Sequence, residues 1–223
     1  MKEDIIIIFR PCYIFIARVF ILGCFYMINN QTKKIAVTGI FGAIGFILML
    51  LEFPLASLIP SFIKMDFSEI PAIIVGFAYG PWHGILVCLL KNLLHLFVTT
   101  TNGAGEASNF VLGAIFVGVA SLIYKYYKTR KGALIGSITG AFSMALISIA
   151  TNYFLMYPFY SVIYGLPMEG IIGMYQAILP SSDTLIKCLL IFNLPFNFIK
   201  GIIDCIICFL IYKKISPILK TAK

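Results

Sequence analysis

Four polar residues interrupt an otherwise apolar run near the C-terminal end of the chain. Asn193, Asn197, Lys200 and Asp204 fall between about Leu189 and Tyr212. Their spacing of four, three and four residues places them near one face of a helix. Such groups are costly in hydrocarbon, so they should face a bundle interior, a cavity or a ligand. Asn152, Lys91 and Asn92 are further polar residues in apolar surroundings. Lys200 stands about 20 Å along a helix from Lys213, too far to reach the membrane surface from there. Its predicted partner is Asp204, one turn on, which would hold the ammonium charged and oriented. Pro195 should loosen the helix just before Asn197 and Lys200.

These residue types suit a particular ligand chemistry. An Asn amide offers a donor and an acceptor edge, complementary to an imide or uracil-like edge. A Lys adds a charged donor, and Tyr153, Phe154, Phe196 and Phe198 offer flat surfaces nearby. A planar, hydrogen-bonding heterocycle fits this set better than a metal ion or an aliphatic amino acid. Catalytic templates are lacking. There is no GxxxxGK[ST] phosphate loop and no HExxH. His83 and His95 lie far apart and read as local hydrogen-bond partners or interfacial tips. Cys205 and Cys208 form a CxxC, but without a second pair or a nearby His they read as small apolar residues one turn apart. No catalytic or metal site is predicted.

The elements that must position this stripe are membrane helices. The chain has 223 residues, is 61% apolar and carries only 12% charged residues; its mean hydropathy is +0.99. That composition predicts an all-α integral membrane protein in the lipid bilayer, of a size for one bundle of six transmembrane helices. The spans read as about Ile35–Phe53, Phe67–Tyr79, Trp82–Val98, Asn109–Tyr127, Ala133–Tyr157 and Cys188–Tyr212. The second is short and ends at the Gly80-Pro81 break. The stretch from Pro158 to Lys187 reads as a long external loop with an interfacial or re-entrant helix. Residues 1–30 read as an extra hydrophobic segment, a signal-anchor, or, the favoured reading, an N-terminal extension upstream of a start at Met27, and 31–223 as the membrane domain.

The net charge of +8 does not point to nucleic acid. It sits in short clusters at Lys33-Lys34, from Lys125 to Lys131, and from Lys213 to Lys223. Alternating spans put all three on one side, so both ends of the six-span core should be cytoplasmic. Small residues mark two close-packing faces: Gly132, Gly136 and Gly140 on the fifth span, and Ala36, Gly39, Gly42 and Ala43 on the first. The fifth-span set reads as packing inside the bundle. The first-span set leaves room for a partner protein.

Four blocks of sequence resemble the riboflavin-specific S components of energy-coupling factor transporters. They are KMDFSEIPAIIVGFAYGPWHGILVCLLKNLLHLF from Lys64 to Phe97, GEASNF from Gly105, NYF from Asn152 and PFNFIKG from Pro195. The resemblance covers about Thr32 to Lys220. It implies a six-helix binding subunit of a bacterial plasma membrane, which captures riboflavin from outside. It also implies partners: a transmembrane coupling subunit and two ATPases, so that ATP hydrolysis occurs elsewhere. Riboflavin would be the transported ligand, not a cofactor.

By the same resemblance Asn152, Asn197 and Lys200 would hold the flavin. Asp66, Lys91, Asn92, Glu106 and Asn109 are additional candidates for the site. The loop from about Pro54 to Asp66 would act as a lid. Gly39 and Ala43 would form the face that meets the coupling subunit. Asn193 and Asp204 receive no role. Alternatives left open are another vitamin or FMN as ligand, an ion-driven secondary transporter using Lys200 and Asp204, and an intramembrane enzyme.

Overall fold

The computed structural model describes residues 30–55, 59–60, 63–99, 101–165 and 167–220. The readings of residues 1–29, as an extension or a further span, lie outside the described residues.

The chain begins with α1 (Asn30–Leu50) and a small antiparallel hairpin, β1 (Phe53–Pro54) and β2 (Lys64–Met65), in which Phe53 faces Met65. Then come α2 (Glu69–Tyr79), α3 (Pro81–His95) with a 3-10 turn at Leu96–Val98, and α4 (Ala104–Tyr126). Next are α5 (Arg130–Thr151), a π turn at Asn152–Met156 and α6 (Tyr157–Tyr164). After α7 (Met168–Gln176) and α8 (Leu185–Cys188), a second π turn at Leu189–Asn193 leads into α9 (Leu194–Lys220).

Among the described residues, five helical runs are long and apolar enough to cross a membrane: Gln31–Leu50, Pro81–Val98, Ala104–Tyr126, Arg130–Ile163 and Leu185–Tyr212. The sixth helix, α2, has 11 residues, about 16 Å of helix and half a bilayer core. Its residues are apolar almost all round, and such a helix belongs in an interior. Ala72, Ile73 and Val75 are wholly buried, and α2 packs on α1, α3, α4 and α9 at once. Close approach is possible because Gly76 lies against Ser121 and Val117 of α4. Gly80 then turns the chain at φ 101°, a left-handed value open to glycine, and Pro81 starts α3 with its missing N–H at no cost.

The expected end of the fifth span at Tyr157 needs correction, because helix continues to Tyr164. Pro158 cannot donate to a carbonyl one turn back and would clash with it. The π turn at Asn152–Met156 widens the helix at that place and lets it pass the proline. A second π turn ends just before Pro195 in the same way. Both irregular turns lie at the same end of the bundle. A second buried cluster, with Tyr157, Tyr175, Leu189 and Phe192, seats α7 against them.

The opposite end is packed without charge. Phe77 of α2 meets Tyr124, Phe209 and Tyr212 at centroid distances of 4.8, 6.5 and 6.5 Å. Gly136 and Gly140 of α5 face inward onto α4, where an added Cβ would lie 2.6 Å from the carbonyl oxygens of Ala120 and Phe116. On α1 the small residues divide: Gly42 packs on Leu90 of α3, whereas Ala36, Gly39 and Ala43 are exposed. The basic residues at 33–34 and 125–131 cluster at this same end, where α9 also finishes.

Candidate functional site

A cavity of about 170 Å³ occupies the end of the bundle that holds the π turns. Asn152 lines it from the first π turn, and Asn193, Asn197 and Lys200 from the second π turn and α9. Asp66 and Lys64 enter from the hairpin, Glu69 from α2, His95 from α3, and Glu106 and Asn109 from α4. The aromatic wall is Tyr157, Tyr160 and Phe196. Phe196 is thus the one expected aromatic at the cavity. Tyr153 and Phe154 are exposed, at 38% and 77%, and Phe198 packs edge-on against Phe142. Tyr160 lies beyond the expected end of the fifth span, and Tyr157 is the last residue of that span, with no pattern in the sequence that sets it toward the cavity.

Lys200 does not pair with Asp204. Its ammonium donates to Asp66 Oδ2 at 2.7 Å, across 134 residues of sequence. The reason is directional. A helical side chain leans toward the N-terminus of its helix, so Lys200 reaches away from Asp204 and toward the hairpin. Asp66 accepts further hydrogen bonds from the Ser68 backbone N–H at 2.9 Å and the Ser68 hydroxyl at 2.5 Å. Burial pushes the Asp66 carboxyl up, but the Lys200 and Lys91 ammonium groups outweigh it and hold it well below the usual carboxylate range.

Lys91 and Asn92 do not line the cavity; they stand behind its wall. Lys91 is fully buried, donating to Glu69 at 2.6 Å and to Ser68 Oγ at 2.5 Å. Lys200, Asp66, Ser68, Lys91 and Glu69 therefore form one chain of bonds from α9 through the hairpin's foot to α2 and α3. Asn92 donates to the Cys88 carbonyl at 2.8 Å and to Asn109 Oδ1 at 3.3 Å, and so steadies a residue that does face the cavity. Glu69 carries no signal in the sequence beyond its place in a motif, because its role depends on a lysine 22 residues away.

The rest of the rim is also tied together. Glu106 binds His95 Nδ1 at 2.8 Å and accepts from the Thr101 hydroxyl at 2.9 Å. Lys64 pairs with Glu52 across the hairpin. Asn193 accepts from the Tyr175 hydroxyl at 2.7 Å and donates to Tyr157 at 3.3 Å, which fixes α7 to the second π turn. Asn197 donates to the Asn193 carbonyl at 2.8 Å. Cys205 and Cys208 are free and buried. No group of three or more metal-binding side chains occurs among the described residues. What the arrangement can do is hold a polar ligand with amides and one oriented ammonium, beside aromatic rings.

Comparison with known proteins gives a consistent result. Residues 33–212 match the family described as ECF transporter, substrate-specific component. The riboflavin transporter RibU of Staphylococcus aureus is 32% identical over 191 residues, which is 86% of this chain and 94% of that protein. The riboflavin transporter FmnP of Bacillus subtilis is also 32% identical, over 84% of this chain and 94% of its own length. A solved structure of the S component of a bacterial ECF transporter superposes with a TM-score of 0.67 at 30% identity, covering 85% of this chain and 99% of that one.

Proposed function

This chain belongs to the substrate-specific components of ECF transporters, and from that premise we propose that it captures riboflavin for import through an energy-coupling module. The observation that carries this reading is the meeting of Asn152, Asn197 and Lys200 in one cavity. The amides are suited to the imide edge of the isoalloxazine ring and the ammonium to a ring carbonyl or nitrogen. Tyr157, Tyr160 and Phe196 supply flat apolar contact. Glu106, Asn109 and the hairpin residues lie around the same space and would meet the polar chain of the ligand.

The cavity opens to the outside in this reading, with the hairpin above it as the lid. The basic residues at the opposite end then lie in the cytoplasm, as do both ends of the six-helix core. The exposed Gly39 and Ala43 of α1 give a close-approach face for the transmembrane coupling subunit, and two ATPases bound to that subunit supply the energy.

The test is optical. Purified protein should quench riboflavin fluorescence, and a panel of thiamine, biotin, folate, pantothenate and FMN should compete less well. Absence of quenching would remove riboflavin as the ligand. Replacing Asn197 or Lys200 with Ala should weaken binding by about 1–3 kcal/mol, since each leaves a polar group of the ligand unpaired. Unchanged affinity would remove that residue from the site.

A further inference from the structure

Five ionisable groups share the buried space beneath the hairpin: Asp66, Glu69 and Asp204, with Lys91 and Lys200. Their exposures are 3%, 2%, 0%, 0% and 7%. Two pairs account for four of them, Lys91 with Glu69 at 2.6 Å and Lys200 with Asp66 at 2.7 Å. Asp204 is the odd one. Neither of its carboxylate oxygens has a hydrogen-bond partner among the described residues. The charged groups facing it are Lys200, Asp66, Glu69 and Lys91, and the Cys205 and Cys208 thiols lie beside it on its own helix. A buried charge without a partner neutralises itself rather than stay charged.

We propose that Asp204 is a second seat for Lys200: it holds a proton while Lys200 is bound to Asp66, and gives that proton up when the hairpin withdraws and Lys200 turns to it. The geometry favours this exchange. Asp66 follows β2 directly, and the hairpin pairs through only two residues on each strand, so few backbone bonds of its own resist its withdrawal. A ligand entering or leaving must displace some part of that wall. When Asp66 leaves with the hairpin, Lys200 stays buried on α9 and needs another anion. Asp204, one turn away, supplies it by ionising. The buried cluster is neutral in both arrangements: two ion pairs and a protonated acid with the hairpin docked, two ion pairs with it withdrawn. One proton passes to solvent on opening and returns on closing.

The proposal rests on the import reading only for the motion of the hairpin, and two measurements separate the two. The first needs no ligand. Infrared spectra of the purified full chain should contain a protonated-carboxyl C=O stretch that Asp204→Asn lacks. Asp66→Ala, which withdraws the competing anion, should lose the same band. An unchanged band in Asp204→Asn, or a band retained in Asp66→Ala, overturns the proposal. The second is riboflavin release followed by stopped-flow fluorescence. Opening that requires loss of one proton should accelerate about tenfold per pH unit below the ionisation of Asp204. Asp204→Asn should release slowly and without pH dependence. A flat wild-type profile, or the same slope in both proteins, overturns the proposal. If riboflavin gives no signal at all, the ligand reading fails while the infrared result still decides the role of Asp204.

Discussion

The two ends of this bundle are built from the same helices by opposite means. At one end α2 begins with Glu69, which is clamped by Lys91 beside a cavity rimmed with amides and carboxylates. At the other end the same helix finishes with Phe77 among Tyr124, Phe209 and Tyr212, next to a glycine seam between α4 and α5. In lipid, helices associate chiefly through close packing of small residues, which asks for no charge at all. The ion pairs of the cavity end are therefore an expense that packing does not require. Their presence marks the end whose residues do more than pack, which is where the proposed site lies, and the glycine seam marks the end that packing alone holds together.

The largest expected effect breaks the cavity end. Lys91→Ala strands Glu69 without its ammonium and should cost about 3–5 kcal/mol of stability in detergent denaturation. The double change Lys91→Met with Glu69→Leu should recover most of it, because no unpaired charge is left. A single variant as stable as the wild type would show that the pair is not what closes this end.

Next comes the opposite end. A side chain at position 140 would press on the Phe116 carbonyl, so Gly140→Val should cost about 1–3 kcal/mol. The folded fraction should still bind riboflavin with unchanged Kd. A shifted Kd would mean the two ends are not separable.

A smaller effect concerns acid. The folded Asp66 carboxyl lies below its ordinary value of 3.8 because the lysine charges outweigh burial. Its stabilisation is thus complete above that ordinary value and is lost as pH falls through the folded one. With Asp204→Asn in place to remove the other proton, protease protection of the hairpin should stay flat down to about pH 4. Loosening that starts above pH 5 would contradict the Lys200–Asp66 pair. The smallest effect is at the exposed Asp183–Lys187 pair. Asp183→Asn should shift neither melting nor ligand affinity, since such surface pairs are screened.

Much of this was readable from residues alone. The period of Asn193, Asn197 and Lys200 on α9 is a local property, and so is the apolar character that buries α2. The blocks around Asp66, Glu106, Asn152 and Asn197 named residues that the fold gathers from four separate segments. Three matters were not legible. Pro158 reads as a helix end, yet a π turn carries the helix past it and brings Tyr157 and Tyr160 to the cavity. Lys91 reads as another residue of the site, yet it stands behind the wall and secures Glu69. Lys200 reads as the partner of Asp204, yet its side chain leans the other way.

The sequence by itself determined the class of molecule, the bundle of membrane helices and the polar stripe, because hydropathy and helical period act over one or two turns. Only the tertiary structure decided who pairs with whom. An ion pair between Asp66 and Lys200 depends on where a hairpin settles 134 residues away, and the unpaired state of Asp204 follows from that choice. Nearness in sequence made Asp204 the obvious partner; the direction of side chains on a helix and the packing of the hairpin gave the place to Asp66.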